Sequence, residues 1–204
     1  MFIGNDKKLA IIGFEDSISL QEVAYGITKV TNEPCIIINP YEFMENPSKD
    51  FQYLNGAIKN DFVLRKQVTA FLDEHQIDRF TFVHPMAYIY PEKVNLELGV
   101  CIGPGAGIHN NVKIARDVVI HGHTGIGHGS EIGVGTYISG HVCMGGSVKV
   151  GSNCFFGMQT TVYDKTSICD DVTVSVASVV RKNITEPGIY HGNPAKKLRL
   201  SRSK

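Results

Sequence analysis

A period of six residues dominates the middle of this chain. Every sixth residue from 90 to 180 is apolar, and no insertion interrupts the run. Chance would give such a run roughly once in a million frames, so the period is a structural signal. Helices repeat every 3.6 residues and strands every two, so neither keeps one face apolar at this spacing. The positions are Tyr90, Leu96, Ile102, Ile108, Ile114, Ile120, Ile126, Ile132, Ile138, Met144, Val150, Phe156, Val162, Ile168, Val174 and Val180.

Glycines and small residues follow the same register. A small or β-branched residue stands four places after each apolar position, from Val94 to Ser178. Short flat strands joined by corners explain this pattern, because large aliphatic residues fill the inside of each face and glycine accepts the backbone angles that corners need. Glycine stands one place after the apolar residue at Gly103, Gly127, Gly133, Gly145, Gly151 and Gly157.

This register predicts a parallel β-helix of hexapeptide repeats, so the fold class is mainly β. Three hexads would close one triangular coil, and residues three hexads apart would stack at one strand spacing. The run from 90 to 180 would then give five coils. A β-sandwich is disfavoured, because it needs a period of two with turn signals about every 8–12 residues.

The two ends differ from the repeat. Strand and helix patterns alternate in the first 84 residues, which predicts a small N-terminal α/β (Rossmann-like) domain over 1–84. We assign 85–184 to the β-helix and 185–204 to a turn-rich cap with a basic tail. The predicted strands are Lys8–Gly13, Cys35–Asn39, Phe51–Ile58 and Arg79–Val83, and the helices are Ser19–Val30 and Phe62–His75.

Charge and cysteine usage exclude several classes of function. Twenty Lys+Arg balance twenty Asp+Glu, which argues against nucleic acid as a partner. The apolar run Leu9–Phe14 is too short for membrane insertion or a signal-peptide core. Five cysteines without a CxxC pair are typical of free thiols, so we expect a cytoplasmic protein.

The arrangement resembles the hexapeptide-repeat sugar acyltransferases, a family that includes sialic-acid O-acetyltransferases and bacillosamine-pathway N-acetyltransferases. The resemblance covers nearly the whole chain, as far as a GNPAK ending at Gly192–Lys196. It implies a left-handed β-helix and a homotrimer with active sites between subunits. It also implies acetyl-CoA or another acyl-CoA as co-substrate. The acceptor would be an amino- or hydroxy-sugar, often nucleotide-linked, in polysaccharide or glycan biosynthesis.

The family motif His-(Asp/Glu)-x-x-Ile-Gly is similar to residues 128–133, so His128 matches the catalytic base. A neutral imidazole near pH 7 suits removal of a proton from an attacking N–H or O–H group. Gly129 stands where the family has an acid. The imidazole must therefore be oriented by another group, such as a backbone carbonyl or Glu131.

The acyl-CoA site is assigned by resemblance and spacing. Tyr137 matches a family histidine that contacts the donor, and Gly146 matches a glycine whose N–H meets the thioester carbonyl. Residues three hexads apart should form a straight groove for the pantetheine arm, which adds Met158 and Asp164 to the donor site. The two predicted columns are His128, Gly146, Asp164 and Lys182, and Gly140, Met158 and Val176.

The acceptor site departs from the family. Where the family carries a glycine-rich loop that packs against a nucleotide pyrophosphate, only Gly13 remains, followed by Glu15 and Asp16. Carboxylates repel a diphosphate, so we predict that this loop does not cradle one in the usual way. The acceptor is then not nucleotide-linked, or its nucleotide is held elsewhere, near Lys59, Asn60 and His84. The candidate acceptor residues are Gly13, Asn39, Lys59, His121 and His123.

Two other classes of function remain open. Gamma-type carbonic anhydrases are also trimeric β-helices, and His123 and His128 resemble two of their zinc ligands, with His141 three hexads after His123. The sequence offers no matching third ligand upstream, so we expect no metal. The other alternative is a non-catalytic β-helix binding protein. Metal content measured against thiol release from acetyl-CoA separates these alternatives.

Overall fold

The computed structural model describes residues 1–56, 62–90 and 93–198, so Lys59 and Asn60 of the predicted acceptor site lie outside the described residues. An α/β unit packs against a long parallel β-helix. In chain order the elements are β1 (Phe2–Ile3), β2 (Lys8–Ile12), α1 (Ile18–Thr31), β3 (Cys35–Ile38), α2 (Pro40–Glu45), β4 (Phe51–Asn55), α3 (Phe62–Glu74), β5 (Thr81–Val83), β6 (Tyr88–Ile89), β7 (Asn95–Leu96), β8 (Cys101–Ile102), β9 (Gly107–Ile108), β10 (Lys113–Ile114), β11 (Val119–Ile120), β12 (Gly125–Ile126), β13 (Glu131–Ile132), β14 (Tyr137–Ile138), β15 (Cys143–Met144), β16 (Lys149–Val150), β17 (Phe155–Phe156), β18 (Thr161–Val162), β19 (Ser167–Ile168), β20 (Val172–Val174), β21 (Val179–Val180), β22 (Gly188–His191) and β23 (Lys196–Lys197).

The predicted parallel β-helix is confirmed, with about six turns. Partner residues on successive coils are three hexads apart, as in the pairing of Val119 with Tyr137. The large aliphatic residues of the repeat fill the interior. Face I contains β5, β8, β11, β14, β17, β20 and β22, face II contains β6, β9, β12, β15, β18 and β21, and face III contains β7, β10, β13, β16 and β19.

The register predicted for the first repeat is wrong. Leu96 pairs with Ile114 one coil further along the chain, as predicted, but Ile89 and not Tyr90 pairs with Ile108. An extra residue therefore lies between β6 and β7. As a result Ile89 packs against the interior, while Tyr90, predicted to point inward, is 39% exposed. The helix also begins earlier than predicted, since β5 pairs with β8 as the first rung of face I.

The role predicted for the repeat glycines is also corrected. The corner residues with left-handed backbone angles recur every sixth residue from Lys93 to Ala177 and include His123, with φ 57°. The glycines that follow the apolar positions are not among them. A Cβ added to Gly133 would lie 2.5 Å from the carbonyl carbon of Gly151 in the next coil. Glycine is therefore needed there because the coils approach closely, and not because of the backbone angles.

The parallel α/β unit is confirmed as a three-stranded sheet in the order β3-β2-β4. Helix α2 was not predicted; it begins after Asn39, whose side chain accepts a hydrogen bond from Tyr41 N at 3.0 Å. Of the strand predicted at residues 79–83, Arg79 forms a parallel bridge with Tyr53 of β4, whereas β5 (Thr81–Val83) joins face I. Strand pairing thus crosses the division proposed at residue 84, and that division stays a prediction.

A buried arginine joins the two parts. Arg65 of α3 is fully buried and donates from Nη1 to the carbonyls of Asn55 and Gly56, at 2.8 and 2.7 Å. Its Nε donates to the carbonyl of Gly135 at 3.1 Å, and its Nη2 donates to the carbonyl of Asp117. Asn55 ends β4 and Gly56 follows it, while Asp117 and Gly135 lie on β-helix corners. One side chain therefore joins the α/β unit to the β-helix beside face I.

The C-terminal segment continues face I. Strand β22 pairs in parallel with β20, and β23 pairs antiparallel with β22. Of the helices in the described residues, none has the length and apolar character that a bilayer crossing requires.

Candidate functional site

His128 lies at the corner between face II and face III, directly after β12, and its side chain is exposed. Its imidazole covers the Cα of Gly146 in the next coil, where an added Cβ would lie 2.6 Å from Nε2. Real Cβ atoms do not make contacts this short, so a larger residue at 146 would displace the imidazole. The spacing of three hexads therefore brings His128 and Gly146 into contact.

Asp164 extends this column by one coil. The N–H of Gly146 donates to Asp164 Oδ1 at 2.9 Å, and Lys165 N–H donates to the carbonyl of Gly146 at 2.8 Å. The resemblance assigns the Gly146 N–H to the thioester carbonyl, but here this N–H already donates to the Asp164 carboxylate. An acyl oxygen that uses this donor must replace Asp164 or share the N–H with it.

Glu131, one suggested orienting group for His128, is engaged elsewhere. It accepts a hydrogen bond from Lys113 Nζ at 3.0 Å, and that lysine holds the pKa of the Glu131 carboxyl below its usual range. Gly129 occupies a left-handed corner position with φ 67°. Within the described part of the chain, the His128 imidazole has no hydrogen-bond partner, so packing on Gly146 is the contact that orients it.

A cavity of about 440 Å³ lies where the α/β unit meets face I. Most of its walls are apolar, which is typical of small-molecule sites. Its polar side chains among the described residues are Glu22 of α1, His84 after β5 and His121 after β11. The apolar lining includes Leu20, Val23, Leu54, Phe82, Cys101 and Val119.

Tyr137 contacts His121 at the edge of this cavity. The Tyr137 hydroxyl lies 2.6 Å from His121 Nε2, and the Tyr137 ring stacks on Phe155 with centroids 5.6 Å apart. The Arg65 guanidinium lies over the same ring, with Cζ 5.8 Å from the centroid. Tyr137, predicted to contact the acyl donor, is therefore placed beside the predicted acceptor residue His121.

Burial keeps both members of this pair uncharged at neutral pH, and the buried cation adds to the effect of burial on His121 only. Burial lowers the pKa of His121, and the positive charge of Arg65 lowers it further. Burial raises the pKa of Tyr137 to about 12, against the opposing effect of Arg65. The site therefore presents a neutral imidazole bonded to a protonated phenol.

Within one chain, the cavity and His128 lie on opposite sides of face II. His121 stands before β12 and His128 stands after it. Between them the surface is nearly bare: an added Cβ on Gly107 or Gly125 would meet no described atom within 4 Å. The predicted base and the predicted acceptor residue therefore do not share a cleft in a single chain.

His123 and His141 form a separate pair at the corner between face I and face II. Both side chains are exposed, and their rings stack with centroids 5.1 Å apart and an interplanar angle of 12°. Neither is among the described residues that line the cavity. The described residues contain no group of three or more His, Cys, Asp or Glu that could hold a metal ion.

The remaining predicted site residues, Gly13, Asn39 and Met158, lie apart from His128. Gly13 is buried beneath Leu20, whose Cδ1 occupies the space that a Cβ on Gly13 would need. Asn39 caps α2, and Met158 is 57% exposed on the corner between faces I and II.

Sequence patterns did not identify Arg65 as part of the site. The hydrophobic pattern of α3 predicts that Val63 lies on the buried side with Val68, but Val63 is 68% exposed while Arg65 is buried. A lone arginine in a helix usually lies in solvent. Its burial here depends on carbonyls from β4 and from two distant corners, and no local pattern signals that combination.

Two curated proteins match about half of the chain in sequence. UDP-3-O-acylglucosamine N-acyltransferase of Bordetella avium is 33% identical over 98 residues, 48% of this chain and 27% of that protein. Probable UDP-3-O-acylglucosamine N-acyltransferase 2, mitochondrial, of Arabidopsis thaliana is 33% identical over 111 residues, 52% of this chain and 36% of that protein. The chain thus spans about a third of these relatives. No family model matches the chain.

Solved structures match nearly the whole chain in fold. Perosamine N-acetyltransferase of Caulobacter crescentus, solved with CoA and GDP-perosamine, superposes with a TM-score of 0.80 at 18% identity, over 97% of this chain and 99% of that chain. The acetyltransferase domain of PglB from Neisseria gonorrhoeae gives a TM-score of 0.82 at 19% identity, over 95% and 100%. The fold is therefore that of the hexapeptide-repeat sugar acetyltransferases, which confirms the resemblance at the level of architecture.

Proposed function

We propose that this protein is an acyl-CoA-dependent transferase that moves an acetyl or other short acyl group to an amino or hydroxyl group of a sugar. The observation that carries the proposal is the exposed His128 imidazole packed over Gly146 on a β-helix whose fold is that of sugar acetyltransferases. An exposed imidazole can reach a substrate, and its ring nitrogen can accept a proton from an attacking N–H or O–H group.

The proposed step is direct transfer. His128 removes a proton from the acceptor amine or hydroxyl as that atom attacks the thioester carbonyl. The new N–C or O–C bond forms, the C–S bond breaks, and the sulfur leaves as CoA thiol after taking the proton from the imidazolium. A backbone N–H at the corner stabilises the oxyanion. We assign this donor to Gly146, with Asp164 yielding the N–H when the acyl donor binds.

The acyl-CoA arm is assigned to the corners that flank face II. Gly146 and Asp164 form one edge, and Met158 forms the other beside Val176, an exposed apolar corner residue. Tyr137 closes the acyl end from the cavity side. These roles follow from spacing and resemblance.

We propose that the acceptor sugar occupies the 440 Å³ cavity, where His84 and His121 supply polar contacts. His123, at the adjacent corner, is assigned to the entrance of this cavity. Lys59, which follows β4 in the sequence, is kept as a further candidate for binding the acceptor. Gly13 and Asn39 are kept as candidates for the distal part of the acceptor. Gly13 is buried beneath Leu20 and Asn39 caps α2. Both positions favour an indirect role, in which these residues shape the α/β unit.

A homotrimer brings the two halves of the site together. A cavity on one chain and His128 on its neighbour can share a cleft, although within one chain face II separates them. The bare surface at Gly107 and Gly125 supports this, because two neighbouring rungs without an outward side chain let another subunit approach closely there. Oligomers usually form by such symmetric contacts.

Light scattering tests the assembly. The expected mass is three times the 22.4 kDa of one chain. Gly125→Arg should lower the mass without unfolding the chain, since its side chain enters open space, whereas Ser167→Arg on exposed face III should leave the mass unchanged. A wild type that stays monomeric at micromolar concentration contradicts the homotrimer.

The acceptor loop can be tested for nucleotide binding. Leu20 fills the space over Gly13, and the exposed Glu15 and Asp16 follow it, so a diphosphate finds neither room nor favourable charge there. Calorimetry with UDP- and dTDP-sugars should give the same result for the wild type and for Glu15→Ala/Asp16→Ala, or tighter binding by the variant. Micromolar wild-type binding that the double substitution abolishes would show that the loop holds the nucleotide.

The reaction itself is tested by a panel of amino sugars, free and nucleotide-linked, incubated with acetyl-CoA and a thiol reporter. Acceptor-dependent thiol release is the expected result. Stoichiometric zinc in the purified protein, without thiol release, would instead favour the carbonic-anhydrase-like alternative. The absence of both zinc and thiol release would favour a binding protein. The free cysteines support a reducing, cytoplasmic location, which we also propose.

A further inference from the structure

The cavity has a polar group on its β-helix wall, and the position of the proton on that group decides what it can bind. His121 lines it from the β-helix side, and its Nε2 lies 2.6 Å from the hydroxyl of Tyr137. Tyr137 is not among the described residues that line the cavity, so the Nε2 edge of the imidazole is turned toward the protein. Nδ1 is therefore the ring nitrogen left for a ligand.

Arg65 decides the direction of the hydrogen bond between Tyr137 and His121. Its guanidinium is fully buried, bonded to backbone carbonyls, and lies over the Tyr137 ring with Cζ 5.8 Å from the centroid. Arg65 bonds to the backbone carbonyl of Asp117, but the carboxylate of Asp117 is paired with Arg79, whose Nε lies 3.0 Å from Oδ1. A positive charge beside a phenol makes the O–H a stronger donor and opposes a second positive charge on the imidazole. Tyr137 therefore donates to Nε2, and the imidazole proton resides on Nδ1.

The other ionisable groups around the imidazole agree with this state. Cys101 lies in the same wall, and burial raises the pKa of its thiol to about 12, so the thiol is uncharged. Glu22 of α1 lines the cavity from the α/β side, and His84 lines it from the end of β5 on face I. Burial and Arg65 together lower the pKa of His121, which keeps the imidazole neutral over the physiological range.

We propose that His121 serves the cavity as a fixed Nδ1–H donor, with Tyr137 and Arg65 as its positioning residues, and that its partner is an uncharged hydroxyl or carbonyl oxygen of the bound sugar. The identity of the ligand rests on the proposed function; the state of the imidazole does not. A buried donor of this kind selects for the oxygen, because a ligand without it would leave the N–H unpaired.

Nitrogen-15 NMR of the histidine side chains tests the imidazole state directly. The His121 signal is identified by its loss in His121→Gln. We expect the wild type to show protonated Nδ1 and unprotonated Nε2 at neutral pH. In Tyr137→Phe the Nε2–H form should appear, whereas Tyr25→Phe, at a tyrosine that is 65% exposed on α1, should change nothing. An Nε2–H form in the wild type, or an unchanged signal in Tyr137→Phe, overturns the proposal.

The ligand is tested with the same panel of free and nucleotide-linked amino sugars. At least one sugar should shift the Nδ1–H signal of His121, and Tyr137→Phe should bind that sugar about threefold to tenfold more weakly. If no sugar shifts the signal, the donor role is overturned. If a sugar shifts the signal but no thiol is released from acetyl-CoA, the proposed function fails while the donor role stands.

Discussion

In the β-helix, the surroundings of a residue follow from its place in a coil of three hexads, whereas in the α/β unit they follow from contacts with distant segments. Ile126 is buried because every sixth residue points inward. Arg65 is buried because carbonyls of the β-helix reach it across the junction. This difference between the two regions explains how the two parts of the candidate site arise. The coil places His128 over Gly146 by spacing alone, while the cavity exists only where the two regions meet.

The largest effect should come from the β-helix side of the site. His128→Ala is expected to lower kcat by about 10²–10⁴-fold, because it removes the proposed general base, with little change in the affinity for acetyl-CoA. Its exposed position means that the fold is kept. His109→Ala, at another exposed corner histidine, is the matched control. Unchanged kcat in His128→Ala would move the role to His123, to His141 or to no base.

The second test breaks the junction between the regions. Arg65→Met should lower the free energy of unfolding by about 3–5 kcal/mol, because it leaves buried carbonyls without donors. It should also separate unfolding of the α/β unit from that of the β-helix. Lys66→Met, at the next residue, removes only an exposed pair with Asp171 and should cost about 1 kcal/mol or less. Chemical denaturation of both variants gives the comparison, and equal losses would show that Arg65 does not hold the regions together.

A glycine from each region sharpens the comparison further. Gly133→Ala should cost about 1–3 kcal/mol, because its Cβ would press on the backbone of Gly151. Gly26→Ala in α1 should be neutral or stabilise by up to about 1 kcal/mol, because its Cβ would meet His84 and Phe82 at 3.9 Å and alanine favours helix. The two variants are compared by thermal and urea unfolding. Equal effects would mean that close coil approach does not limit the β-helix.

The smallest effect concerns the pH dependence of the junction. Partial burial acts to raise the pKa of Asp73, but hydrogen bonds and charges from Arg116 and Arg79 outweigh it and hold the pKa below its usual range. A carboxyl whose pKa is lowered by folding stabilises the protein above its unfolded pKa, and this stability is lost as pH falls through the folded value. The melting temperature of Asp73→Asn should therefore lie below that of the wild type at pH 7, and the difference should vanish in acid. A difference that is constant with pH would contradict this.

Much of the fold was predictable because its signals are local. The hexad register specified the coil and the stacking of residues three hexads apart, and it failed only at Tyr90, where an extra residue shifts the chain before the regular pairing begins. The limits of α1 and α3 were predicted to within one residue, since their hydrophobic patterns are clear. The short helix α2 was missed because a single turn and a half carries too little periodicity.

The candidate site divides along the same line. Sequence by itself determined the column of His128, Gly146 and Asp164, because a fixed period converts separation along the chain into neighbourhood in space. Only the tertiary structure decided that Tyr137 bonds to His121, that Leu20 fills the space over Gly13 after β2, and that Arg65 is buried at the junction. These contacts join segments that share no period, and their energies depend on burial and on charges brought together only when the two regions pack.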